Sequence, residues 1–146
     1  ITRLVRGKTD VVMMLNGALG GLVAITAEPL MPTPLMAIII GGIGGALVFA
    51  GTELLTAMKI DDVVGAIPVH LIAGVWGTLA VPITNPDTSF GTQFLGTASI
   101  CVFVFVVSII IWSIMKATIG IRISEEAEKE GTDVAETGVI AYSIRD

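Results

Sequence analysis

His70 is the single histidine of this 146-residue chain, and it lies within a long apolar stretch. An ionisable group inside a membrane span is expensive to bury and therefore indicates a functional site. An imidazole can donate through one ring nitrogen and accept through the other, so it can relay a proton or hold a small polar solute. The alternative is a neutral imidazole that hydrogen-bonds between packed helices, and the residue type alone leaves both interpretations open.

Pro68 and Gly65 come just before His70 and predict an irregular backbone at this point. Proline has no N–H, so the carbonyl of Val64 loses its helical donor. Membrane proteins tolerate such breaks where packed protein or a cavity satisfies the backbone. A break beside the histidine favours a pore-lining helix, and the alternative is an ordinary kink.

The neighbouring acidic residues and the cysteine have simpler interpretations. Asp61 and Asp62 open the segment that carries His70, and we predict that they cap its helix. Cys101 is the only cysteine, so it forms no disulfide within the chain and is expected to be a buried thiol. The sequence contains no CxxC, HExxH or GxSxG motif and no phosphate-binding loop. We therefore predict that the protein is not an enzyme and that it holds no metal and no cofactor.

The elements that must position these residues are membrane helices. Apolar residues make up 53% of the chain, charged residues 14%, and the mean hydropathy is +0.90. This composition excludes a disordered chain, a nucleic-acid-binding protein and an ordinary soluble domain. A bilayer core needs about 20 apolar residues per helix. The sequence predicts an all-α membrane protein with about four transmembrane helices, at residues 10–27, 34–56, 62–83 and 92–117, which places His70 about eight residues into the third helix.

The basic residues predict the orientation of these helices. Lys and Arg occur before the first segment, between the second and third, and after the fourth, but not in loops 28–33 and 84–91. The positive-inside rule then makes residues 1–9, 57–61 and 118–146 cytoplasmic. The chain thus divides into a transmembrane region, 1–117, and a charged cytoplasmic C-terminal tail, 118–146.

Glycines at a spacing of four residues predict close helix packing. Gly17 and Gly21 share one face of the first helix, and Gly41 and Gly45 share one face of the second. Because two neighbouring helices carry the pattern, we favour packing between them within one chain. Self-association through a single helix is the alternative.

The tail combines a short helix with two turns. Ser124 is placed to cap the run SEEAEKE, and Gly131 and Gly138 mark turns. Such a charged run is often only a solvated face. The apolar residues near the end of the tail also allow it to be a docking or regulatory segment.

Three stretches carry a family resemblance. NGALGGLVAIT (16–26), KIDDVVGAIPVHLIAGVWGTLAVP (59–82) and IGIRISEEAEKEGTDVAETGVIAY (119–142) resemble signatures of the ammonium transporter (Amt/Mep/Rh) superfamily, in its bacterial Amt branch. The resemblance implies an eleven-helix protein of the inner (plasma) membrane that assembles as a homotrimer with one pore per subunit. This chain would be its C-terminal part. The first residue is Ile1 rather than a Met, which also suggests a partial sequence.

The resemblance also implies roles for individual residues. His70 matches the second of two facing pore histidines, Thr26 matches a position near the pore, and Asp61 and Asp62 match a structural acidic pair. The implied function is nitrogen uptake: ammonium loses its proton and crosses a hydrophobic pore as ammonia. The first histidine and the pore phenylalanines would lie upstream of this chain.

For the tail, the resemblance implies coupling of the subunits and regulation by a PII-type protein. The residues concerned are Ser124, Glu125, Glu126, Gly131, Asp133, Gly138 and Tyr142. Ala135 stands where plant members carry a phosphorylated threonine, which argues against that form of control here. Two other hypotheses remain: an Amt-like ammonium sensor, in which the tail matters more than transport, and a membrane cofactor subunit, in which His70 binds haem.

Overall fold

Every regular element of the computed structural model, which describes residues 1–141, is a helix. The elements in chain order are α1 (Thr2–Arg6), α2 (Val11–Ile25), α3 (Pro34–Ala57), a π-helical segment (Ile67–Ile72), α4 (Ala73–Thr84), α5 (Phe90–Thr118), α6 (Glu125–Glu130) and a second π-helical segment (Asp133–Thr137). The chain forms two compact units, one from Ile1 to Cys101 and one from Val102 onward. The all-α prediction is confirmed.

Helices α2 and α3 pack along their glycines. A Cβ built on Gly45 would come within 2.8 Å of the carbonyl oxygen of Gly17, and one on Gly21 would come within 3.1 Å of that of Gly41. Only glycine allows backbones to approach this closely. The predicted packing between the two helices of one chain is confirmed.

Helix α4 and the π-helical segment before it pack against this pair through two apolar clusters. One cluster joins Met13, Val48, Val69 and Ala73, and the other joins Ala24, Ile40 and Ala80. The indole N–H of Trp76 donates to the carbonyl of Ile40 over 3.0 Å. The bundle α2–α3–α4 therefore forms the core that carries the segment around His70.

Polar contacts join the helices at both ends of the bundle. At one end the Arg6 guanidinium pairs with Asp10 and Glu53 and lies 5.9 Å from the Phe49 ring centroid. At the other end the Asn85 side-chain amide donates to Glu28 over 2.9 Å. These contacts put the end of α1 beside the end of α3, and the two loops that lack Lys and Arg, 28–33 and 84–91, beside each other.

Within residues 1–141, three helical spans have the length and apolar composition of membrane helices: Pro34–Ala57, Ile67–Thr84 and Phe90–Thr118. Helix α2 is apolar but has only 15 residues. None of the residues of α5, all of which the structure describes, is buried. A long apolar helix with no buried residue is suited to a lipid or to a neighbouring helix rather than to water.

The structure differs from the predicted bounds mainly at the third helix. The prediction began this helix near residue 62, whereas regular helix begins at Ile67. Gly65 has φ +75°, which a right-handed helix does not accommodate, so residues 62–66 form a turn instead. Helix α1 was also not predicted, because its five residues are too few to show a periodic pattern.

Candidate functional site

The structure places His70 on an open groove within the first unit. The groove has a volume of about 300 Å³. It is lined by His70, Leu71, Gly74, Val75, Thr78, Gln93, Gly96, Thr97, Ile100 and Cys101. The first five come from the third membrane segment and the rest from the first turns of α5. Most of these side chains are apolar or small, so the polar groups are few and stand close to apolar walls.

His70 lies nearer the start of its helix than predicted. It is the fourth residue of the regular helix, not the eighth, because residues 62–66 are a turn. The side chain is exposed on the surface of the described chain. Among the residues that the structure describes, none forms a hydrogen bond with the imidazole, so both ring nitrogens are available to a solute or to a further helix.

Two hydroxyls and an amide face the same groove. The Thr78 hydroxyl donates to the carbonyl of Gly74 over 3.0 Å, which leaves its oxygen able to accept. Thr97 Oγ1 is buried and has no partner among the described residues. With Gln93 and His70, these groups give the groove donors and acceptors for a small polar solute.

The backbone break before His70 is satisfied from another helix. Pro68 cannot donate to the carbonyl of Val64, and the side-chain amide of Asn16 donates to that carbonyl instead, over 3.0 Å. Asn16 belongs to α2 and was not among the predicted site residues. The sequence does contain a signal for this role. Asn16 is a polar residue in an apolar helix, and Pro68 leaves the carbonyl of Val64 in need of a donor. The sequence alone does not show which helix faces which.

The two acidic residues before the helix differ in their contacts. The Asp62 carboxylate accepts the N–H groups of Ala66 and Ile67, each over 2.8 Å. Asp61 makes no side-chain hydrogen bond within the described part of the chain. Asp62 therefore has the geometry of a cap, displaced to the turn that precedes the helix, while nothing in the structure gives Asp61 that role.

Thr26 does not reach the groove. It follows Ile25, the last residue of α2, is exposed, and its hydroxyl donates to the carbonyl of Val23 over 2.7 Å. Cys101 lines the groove and is half-buried, whereas the sequence predicted a buried thiol. Residues 1–141 contain no group of three or more His, Cys, Asp or Glu side chains that is arranged to hold a metal ion.

The predicted tail residues form a compact local structure in the second unit. Ser124 caps α6 by accepting the N–H of Ala127 over 3.2 Å, as predicted, and Glu125 and Glu126 lie in the first turn. Gly131 and Gly138 take positive φ angles at the ends of α6 and of the second π-helical segment.

A carboxylate then binds the backbone at the last residue that the structure describes. Asp133 accepts the backbone N–H of Ala141 over 2.8 Å. The Arg122 guanidinium pairs with Glu128 over 3.3 Å at the start of the tail. Tyr142, which was also predicted to belong to the regulatory tail, lies outside the described residues.

Comparison with known proteins gives one consistent family. The profile of the Ammonium Transporter Family matches residues 1–142. The chain is 37% identical to Ammonium transporter Amt2 of Archaeoglobus fulgidus, over 97% of this chain and 35% of that protein. It is 35% identical to the Ammonium transporter of Bacillus subtilis (95% of this chain, 38% of that protein) and 35% identical to Ammonium transporter Amt1 of Haloferax mediterranei (94% and 28%). The chain thus spans about a third of the length of these relatives.

Proposed function

The chain belongs to the ammonium transporter family, and from this we propose that it forms part of a membrane pathway for ammonium or ammonia. Within a longer transporter it would contribute helices α2–α5 and the groove that carries His70. We propose that ammonium gives up its proton and that ammonia crosses a hydrophobic passage along this groove. The observation that carries the proposal is the exposed imidazole of His70 on a largely apolar groove.

The physical chemistry of the groove supports transport of the neutral species. A cation near the centre of a bilayer costs at least about 3 kcal/mol. Ammonia lacks that charge and needs only hydrogen-bond partners, which an imidazole nitrogen and a threonine oxygen supply. The imidazole is also the side chain whose proton affinity suits exchange of a proton near neutral pH. His70 and Thr78 therefore offer a partner for ammonia and a carrier for the proton that it leaves behind.

We further propose an arrangement in the membrane and in the assembly. The end of the bundle that carries Arg6 and Glu53 would face the cytoplasm with the tail, because basic residues concentrate there. We propose as well that the protein lies in the inner membrane, that it assembles as a homotrimer and that its tail binds a PII-type protein. The unburied α5 and the folded tail are the features that support contacts beyond this chain.

Uptake of labelled methylammonium by vesicles that contain the full-length transporter tests this function. We expect the His70→Ala substitution to lower uptake at least about tenfold, because the proton carrier of the groove is lost. Ser99→Ala is the matched control, since Ser99 is exposed on α5 and its hydroxyl only donates to the carbonyl of Leu95. Unchanged uptake by a correctly folded His70→Ala protein would overturn the role of His70.

The alternative function is that of an ammonium sensor, and the tail is the observation in its favour. Residues 124–141 hold a capped helix and a carboxylate-to-backbone bond, so the tail has a defined structure to present to a partner. A sensor would bind ammonium without net uptake. If the full-length protein binds ammonium but vesicles accumulate no methylammonium at any pH, the sensor hypothesis replaces transport.

A further inference from the structure

Asn16 of α2 and Pro68 beside His70 are joined through one backbone group. The carbonyl of Val64 lies in the turn before the helix, and Pro68, four residues further on, has no N–H to donate to it. The Asn16 Nδ2 group donates to it over 3.0 Å. An apolar residue in place of Asn16 would leave this carbonyl without a protein donor. The bond thus ties α2 directly to the point where the helix of His70 is interrupted.

Gly65 makes this contact possible. A Cβ on Gly65 would lie 2.5 Å from Asn16 Nδ2, so the amide rests directly against the backbone of the turn. Gly65 also has φ +75°, a conformation that other residues adopt at a cost. A side chain at this position would displace the amide and strain the turn at the same time.

The residues between the break and His70 transmit the position of the turn. Pro68 is fully buried and Val69 is 2% exposed, with Val69 packed against Met13 and Val48. The N–H of Ala73 bonds to the carbonyls of both Pro68 and His70 in the π-helical segment. Because Pro68 and Val69 are tightly packed, a shift of the turn at Val64 also moves His70.

We infer that Asn16 is a positioning residue for His70: its amide holds the carbonyl that Pro68 leaves unpaired and so fixes the start of the helix that bears the imidazole. The inference goes beyond the proposed function and rests on it only for the consequence in transport. Asn16 is not placed on the groove itself. Its effect on a solute is exerted through the orientation of His70.

Reaction of His70 with diethyl pyrocarbonate in the full-length protein, followed by mass spectrometry of the peptide that contains it, tests the positioning directly. Asn16→Leu and Asn16→Asp both remove the N–H donor, and the aspartate keeps the volume of the side chain. We expect each to raise the rate of modification of His70 about fivefold, as the loss of one hydrogen bond loosens the start of the helix. Gly65→Ala should have the same effect because it displaces the same amide.

Matched controls separate this effect from general destabilisation. Asn85→Leu removes an inter-element amide bond to Glu28 at the other end of the bundle, and Gly42→Ala adds a Cβ that meets no atom within 4 Å. Both should leave the rate at His70 unchanged. If the Asn85 and Asn16 variants raise the rate equally, or if the Asn16 variants leave it unchanged, the positioning role is wrong.

The uptake assay separates this inference from the proposed function. The groove carries His70 and Cys101 as its titratable groups, and Asp62 is the charged group bonded at the break, so uptake is followed against pH in wild type and in Asn16→Leu, which adds no titratable group. Turnover should fall about tenfold with an altered pH profile. Loss of turnover with the wild-type pH profile would contradict the positioning role. If His70→Ala leaves uptake unchanged, the proposed function fails, and the modification rates still decide the role of Asn16.

Discussion

At the scale of single residues, one glycine contact between two helices leaves no room for a methyl group. Gly77 of α4 faces the backbone of α2: a Cβ there would lie 2.3 Å from the carbonyl oxygen of Ala24 and 2.8 Å from its carbonyl carbon. These atoms are backbone and cannot rotate away. The packing is therefore intolerant of even the smallest side chain at this position.

We expect Gly77→Ala to lower the free energy of unfolding by about 2 kcal/mol, because α4 must move away from α2. Unfolding of the purified protein in detergent, followed by circular dichroism, measures this change. Gly42→Ala is the control, since the added Cβ meets nothing within 4 Å and alanine favours a helix. Equal losses for the two variants would show that the close approach of α4 and α2 is not what makes Gly77 necessary.

The residues of the candidate site were predictable to different degrees. His70 stands out in the sequence because a lone ionisable residue in an apolar segment is conspicuous. Gln93 and Thr97 were missed, since small polar residues are common in membrane helices and only the tertiary packing brings α5 to the groove. Asn16 was missed for the same reason, although the orphaned carbonyl of Val64 that it serves was deduced from Pro68.

At the scale of elements, the third membrane segment shows how a local conformation decides a boundary. Apolar pattern alone extends this segment back to residue 62, but Gly65 interrupts the helix with a positive φ. The Asp62 carboxylate then supplies acceptors to two N–H groups that have no helical partner, those of Ala66 and Ile67. The apolar pattern predicts that a helix exists. The residue at which it begins is set by the conformation of Gly65 and the bonds of Asp62, which the apolar pattern does not contain.

We expect Asp62→Ala to destabilise the protein by about 1 kcal/mol, the usual cost of losing a side-chain cap. Asp61→Ala is a matched control of the same charge change at the adjacent position, and its effect should stay within about 0.5 kcal/mol. Thermal unfolding in detergent compares the two. If Asp61 proves equally important, the capping assignment must be shared between the two carboxylates.

At the scale of the whole molecule, the first unit alternates its connections between two ends. The contact between Arg6 and Glu53 joins connections at one end of the bundle. The contact between Asn85 and Glu28 joins connections at the other end. The grouping was predictable because the positions of Lys and Arg follow the topology. The contacts themselves were not, because they depend on which exposed side chains come within reach after the helices pack.

Single cysteines in a cysteine-free background of the full-length protein test the orientation. Met58 and Leu30 are exposed and lie in connections at opposite ends of the bundle. We expect a membrane-impermeant thiol reagent to label Met58→Cys only from the cytoplasmic side and Leu30→Cys only from the outside. Labelling of Met58→Cys from outside the cell would reverse the proposed orientation.

The glycine contact between α2 and α3 has a consequence for how the chain enters the membrane. With 15 residues, α2 extends about 22 Å, less than the roughly 30 Å of the hydrocarbon core. Helix α3 follows after a short connection, has 24 residues and is strongly apolar. The backbones meet at Gly17 and Gly45 and at Gly21 and Gly41, so the two helices can pair as soon as both have left the ribosome. Biogenesis of this region is then that of a helical hairpin, in which the longer helix carries the shorter one into the bilayer.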